Sequence, residues 1–166
     1  MDVVYLNCYL RSPGWLFKNN QSKRIKMIPL VTINNNKTIC GLAEVFGNTY
    51  TSELAAQYKK HNFNLLSPNT KSSGLAIAYC GDQYEIVGNV IFEKYHDRAW
   101  PDNLANKGVM NCRLRCKESG QVFNILVTHL QSAYEESYAP NSSKLARYRR
   151  IQKSQLLQLQ HFILKS

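Results

Sequence analysis

No apolar run in this sequence approaches the roughly 18 or more residues of a membrane-spanning helix. Its first residues, Met1-Asp2-Val3-Val4-Tyr5, lack the basic stretch and apolar core of a secretory signal. The expectation is a cytoplasmic protein, with a removed leader as the alternative. Cys-x-x-Cys is absent. The five cysteines (Cys8, Cys40, Cys80, Cys112 and Cys116) are odd in number and evenly spread. That argues against both a disulfide framework and a structural zinc site, and favours buried reduced thiols. Internal repeats and low-complexity tracts are also missing. Three Asn-x-Ser/Thr triplets, at Asn20, Asn36 and Asn141, read as chance matches in an Asn-rich chain without a leader.

Acidic residues are scarce, with 11 Asp and Glu against 21 Lys and Arg, a formal charge of +10. Such a balance favours phosphate-bearing partners: nucleic acid, phosphorylated small molecules or an anionic membrane surface. Lysines that are merely solvated are the plain alternative. With 166 residues, 44% of them hydrophobic, the chain suits one domain, 1–166, with a core of ordinary size.

Periodicity predicts strands over 2–10, 38–46, 62–66, 74–80, 84–94, 107–116 and 121–130. The last two are spaced as a hairpin by Lys117-Glu118-Ser119-Gly120. Helical spacing covers 22–33, where Pro29 is expected to end or kink the helix. It returns over 50–61 and over roughly 143–164, the last opened by Ser142 or Ser143. Leu145, Tyr148, Leu156, Leu159 and Ile163 are expected to form the buried face of that last helix. Residues 11–22 read as a loop. The fold class is α/β (α+β), a layered β-sandwich with flanking helices.

Three polar residues interrupt apolar strands: Asn7 in VVYLNCYL, Glu44 in LAEVF and His129 after NILVT. A carboxylate in such a place is paired with a cation, bound to a metal, or at a strand end facing solvent. A buried Asn often only satisfies backbone groups, and a strand-end His is often structural. Together, one amide, one carboxylate and one imidazole at the ends of separate strands make a start on a site for a hard divalent cation and a phosphate.

Leu6-Asn7, Glu44, Ser73-Gly74-Leu75-Ala76-Ile77, Asn106-Lys107-Gly108-Val109, Thr128-His129-Leu130-Gln131-Ser132 and Arg149-x-x-Gln152 follow one order. The series resembles the first half of the endonuclease/exonuclease/phosphatase superfamily, the fold of deoxyribonuclease I. Its combination of Lys-Gly-Val with Thr-His-Leu-Gln-Ser is most similar to the neutral sphingomyelinase-like, phospholipase C type branch. The resemblance implies catalytic roles for Asn7, which would help hold the scissile phosphate, and for His129, which would donate to a phosphate oxygen as charge builds. It implies that Glu44 is the Mg²⁺ ligand and that Arg149 is a phosphate or helix anchor. Ala43 stands where the family usually has Gln, and Ala78-Tyr79-Cys80-Gly81 departs from its Ser-Arg and proline. The family's Asp-x-Asn and Asp-His motifs have no counterpart here, so the domain is expected to be an N-terminal half, incomplete at the C-terminus.

The expected function is that of a Mg²⁺-dependent phosphodiester hydrolase of sphingomyelinase or phospholipase C type, truncated and inactive or nearly so alone, with weak Mg²⁺ binding. The alternatives are a nuclease-like protein, a non-catalytic module binding phosphate, nucleic acid or lipid, and a basic α/β domain in which the three residues never meet. Expected partners are a phosphodiester substrate, an anionic membrane surface met by Lys144, Arg147, Arg149, Arg150 and Lys153, and a second copy joined through an uncovered sheet face.

Overall fold

A computed structural model describes residues 1–11, 20–68, 70, 72–133 and 143–165. Within them the chain runs β1 (Asp2–Leu10), α1 (Gln21–Thr32), β2 (Thr38–Val45), α2 (Asn48–Lys59), β3 (Phe63–Leu66), β4 (Ala76–Cys80), β5 (Tyr84–Lys94), a 3₁₀ turn (Asp102–Leu104), β6 (Gly108–Cys116), β7 (Val122–Thr128) and α3 (Ser143–Lys165). The expected element order holds. Pro29 does not end α1, which runs three residues further to Thr32. Placed in the final turn, the proline removes one helical hydrogen bond and leaves its own carbonyl to accept from Ile33 N at 2.9 Å. The proposed cap Ser142 and most of the 11–22 loop lie outside the described residues.

The strands form two sheets, ordered β1-β2-β4-β3 and β5-β6-β7. Only β1 and β2 run parallel; the other pairs are antiparallel. Strand alternation sorts side chains into two cores. On β4, Ala76, Ala78 and Cys80 face helices α1 and α2, where Ile25, Ile28, Leu54 and Tyr58 cover them. Ile77 and Tyr79 face the second sheet, meeting Met110, Cys112, Leu114, Ile125 and Val127. The sheets approach closely at Gly41, where a Cβ would lie 2.9 Å from Val127 Cγ2. The five cysteines are free, four of them buried in these layers.

On β2 the alternation breaks. Cys40 and Leu42 face the helices and Ile39 and Ala43 the second sheet, yet Val45 returns to the helix side. The intervening residue, Glu44, has φ of 56°. Here the β1–β2 register also slips, with Asn7 opposite Ala43 and Leu10 opposite Val45. A left-handed step is uncommon outside glycine, costs on the order of 1 kcal/mol, and tends to mark functional positions. It brings the Glu44 carboxylate to the rim where both sheets end.

Helix α3 corrects one expectation. Leu145 and Tyr148 are buried, but Leu156 and Ile163 are exposed, and Gln155 and Phe162 are buried instead. Its inner stripe is glutamine. Gln152 Nε2 donates to Gln131 O at 2.6 Å, Gln155 Nε2 to Asp97 O at 2.8 Å, and Gln158 Nε2 to Lys94 O at 3.0 Å. Gln155 Oε1 and Gln158 Oε1 accept from Gln131 N and His96 N. The spacing of three places these amides on one face, where they satisfy backbone groups leaving β5 and β7. Among the described residues no helix is long and apolar enough to cross a membrane.

Candidate active site

Asn7, Glu44 and His129 converge. Asn7 Nδ2 donates to Glu44 Oε1 at 2.9 Å, and His129 Nε2 lies 3.7 Å from that oxygen. β1 supplies the amide, β2 the carboxylate, and the residue just past β7 the imidazole, so the site straddles both sheets. Asn7 is held by its own backbone, its Oδ1 accepting from Tyr9 N at 3.0 Å. Its NH₂ rather than its carbonyl therefore faces the site.

Three further residues, to which the sequence reading gave no role, complete the arrangement. Arg11 Nε donates to Glu44 Oε2 at 3.0 Å while its guanidinium lies over the Tyr9 ring, 4.0 Å from the centroid. Lys107 is only 2% exposed. Its ammonium meets Asp102 Oδ2 and Leu130 O, both at 2.7 Å, and lies 3.5 Å from His129 Nε2. Asp102 also accepts from Ser132 N at 2.7 Å, which ties the 3₁₀ turn to the segment after β7. Of the three, Lys107 alone had a sequence signal, its place in Asn106-Lys107-Gly108-Val109. Arg149 lies exposed on α3 and is not among the residues lining the cavity at this site.

Charge sets the protonation states. Burial pushes the Glu44 carboxyl up, but the hydrogen bonds of Asn7 and Arg11 and the Arg11 charge outweigh it, holding it below its ordinary value. Burial and then the Lys107 ammonium push His129 down, against the pull of Glu44 and Asp102. Burial lowers Lys107 too, although Asp102 opposes this. The buried Nδ1 of His129 has no hydrogen-bond partner among the described atoms.

A cavity of about 330 Å³ opens over these groups, lined among others by Arg11, Glu44, Ser72, Lys107 and His129. That is small-ligand size. Among the described residues no three His, Cys, Asp or Glu side chains gather as a complete metal cage. Mg²⁺ does not require one: it leans on one or two carboxylates, keeps several waters and takes substrate phosphate oxygens. A carboxylate has about four lone-pair positions, and Asn7 and Arg11 occupy two at Glu44. The donor set therefore fits a one-carboxylate Mg²⁺ site.

No family model matches the chain. Sphingomyelinase C of Bacillus cereus is 26% identical over 182 residues, spanning 98% of this chain and 51% of that protein. The chain thus spans about half the length of the curated relative it matches. A mutant beta toxin of Staphylococcus aureus, solved with bound magnesium ions, superposes with a TM-score of 0.76 at 22% identity, over 98% of this chain and 58% of the toxin. Sphingomyelinase C of Streptomyces griseocarneus gives a TM-score of 0.69 at 19% identity, over 97% and 57%. The fold is deoxyribonuclease I-like, that of the endonuclease/exonuclease/phosphatase superfamily. The likeness in sequence and in fold runs to sphingomyelinases, and the deoxyribonuclease I-like layers here are the two sheets that meet at Glu44 and His129.

Proposed function

We propose that this chain is the metal- and phosphate-holding part of a Mg²⁺-dependent phosphodiesterase acting on a sphingolipid or related phospholipid. The observation that carries the reading is the meeting of Glu44 with Asn7, Arg11 and His129 where both sheets end, with Glu44, Arg11 and His129 lining one cavity. Glu44 holds the ion. Mg²⁺, when bound, supplies Lewis-acid polarisation of a phosphoryl oxygen. Arg11 and the Asn7 NH₂ orient the phosphodiester through N–H donors, and Lys107 adds fixed positive charge beneath it. His129, which lines the same cavity, donates from its ring to a phosphoryl oxygen as negative charge builds.

Among the described residues Glu44 and Asp102 are the carboxylates that line the cavity, and Asp102 is paired with Lys107. This favours, as a second reading, a module that binds phosphate without turnover by itself. Turnover of sphingomyelin in mixed micelles with Mg²⁺, beside calorimetry with phosphocholine, separates the two. Hydrolysis that Glu44→Gln abolishes supports the first, and phosphocholine binding without hydrolysis supports the second. Hydrolysis of DNA but not of sphingomyelin reassigns the substrate. Neither binding nor hydrolysis removes both readings.

A further inference from the structure

The segment from Tyr95 to Lys107 is tied down at almost every step. Arg98 Nη1 donates to Ala105 O at 2.8 Å, Ala99 N to Gln131 Oε1 at 2.9 Å, and Tyr148 OH of α3 to Trp100 O at 3.3 Å. Asp102 is locked by Lys107 and Ser132. A segment so held has the means to bury its large apolar side chains, and Tyr95 and Ala99 are indeed buried. Trp100 and Leu104 are instead 70% and 77% exposed, among the most exposed large apolar side chains described. Single exposed apolar residues are ordinary. Two on one fixed turn, beside a candidate active site, form a surface of stated character.

Two observations say what meets it. The groove beside Trp100 is walled by Arg98, Lys144 and Arg147, and the adjoining one by Arg98, Arg147 and Arg150. The turn that carries the apolar pair also lines the candidate site's cavity, to which Pro101, Leu104 and Ala105 contribute together with Glu44 and His129. Tryptophan with an aliphatic neighbour suits the boundary between headgroups and acyl chains, and cations around it suit anionic lipid. Nucleic acid would find a ring to stack on in Trp100, but Leu104 offers it nothing.

We propose that Trp100 and Leu104 are a rigid interfacial anchor which, with Lys144, Arg147 and Arg150, seats the cavity mouth on an anionic lipid bilayer. The anchor adds to the phosphodiesterase reading by naming the physical state of its substrate. It is measured by binding alone, so a chain that binds vesicles without turnover leaves it standing.

The test is co-sedimentation of the full chain with vesicles of equimolar phosphatidylcholine and phosphatidylserine, beside pure phosphatidylcholine. The expected result is retention on the anionic vesicles that falls as salt rises. Trp100→Ala and Leu104→Ser each weaken it about tenfold, from lost apolar burial. Arg147→Gln and Arg150→Gln each weaken it about fivefold. All four positions are exposed, and an unchanged circular dichroism spectrum confirms folding. Vesicle binding that survives the double Trp100→Ala, Leu104→Ser variant overturns the anchor, as does absence of binding to anionic vesicles. Tight binding to single-stranded DNA with no retention on vesicles also overturns it and reassigns the surface.

Discussion

Lys107 Nζ lies 3.5 Å from His129 Nε2, and both residues line the cavity. Two cations at that distance repel, so the lysine, paired with Asp102, adds to burial in disfavouring the charged imidazole. The folded-state pKa of His129 is lowered from its ordinary 6.5 and that of Glu44 from its ordinary 4.5. For both groups the unfolded chain binds the proton first as pH falls, so the stability they confer is present above those ordinary values and lost below them. Urea unfolding midpoints should fall from pH 6.5 downward in the wild-type chain. His129→Gln should flatten the upper part of that fall and leave the part below 4.5. Equal slopes in both proteins refute the assignment.

Glu44→Gln keeps the size and left-handed backbone of the residue while removing its charge. Mg²⁺ or Mn²⁺ titration should show weak binding by the wild-type chain and none by the variant. Its fold should survive, because the partly exposed Arg11 ion pair is worth only about 1 kcal/mol or less. Unchanged affinity in Glu44→Gln rules out the carboxylate as the ligand.

The Asp102–Lys107 pair is a different case, since both side chains are buried. Asp102→Asn leaves the ammonium buried without its counter-charge and should cost about 3–5 kcal/mol in denaturant unfolding. Asp102→Leu combined with Lys107→Met removes both charges and should recover much of that loss. A cost below about 1 kcal/mol for Asp102→Asn would show that solvent reaches the pair.

Gly108 opens β6 opposite Lys94. A Cβ there would lie 2.2 Å from Glu93 O, a backbone atom that cannot turn aside. Gly108→Ala should therefore part β5 from β6 next to Lys107 and lower thermal stability sharply. Gly120→Ala makes the comparison: it meets nothing within 4 Å and bears only the strain of φ 72°, about 1 kcal/mol. Similar losses at the two glycines would disprove the steric account.

The inner face of β1 exposes Val3 and Tyr5, at 63% and 56%, beside a second sheet one strand narrower than the first. Exposed apolar sheet surface favours association. Light scattering of the 166-residue chain should report dimers or larger species that Val3→Asp with Tyr5→Glu converts to monomer. A monomeric wild-type chain at high concentration removes this proposal.

Much of this was legible in the sequence where side-chain periodicity and burial agree. The strands read as apolar runs, and Asn7, Glu44 and His129 stand out because each is polar where its neighbours are apolar. Arg11 and Asp102 did not stand out, because loop positions have no period to violate. Helix α3 misled in an instructive way. Of its expected inner face, Leu145 and Tyr148 are buried, but Leu156 and Ile163 are exposed, because backbone groups at strand ends need amides and Gln152, Gln155 and Gln158 supply them. Pro29 shows the same limit, since its effect depends on which turn of the helix it occupies.

The glutamine stripe has a consequence for how the molecule answers its surroundings. Amides do not titrate and their hydrogen bonds are scarcely screened by salt, whereas the outer side of α3 carries Lys144, Arg147, Arg149, Arg150 and Lys153. Ionic strength can therefore tune how strongly that outer side attracts anions without loosening the helix from the strands beneath it. The charge is adjustable and its mounting is inert, so changes in binding with salt report the surface itself and not a helix coming adrift.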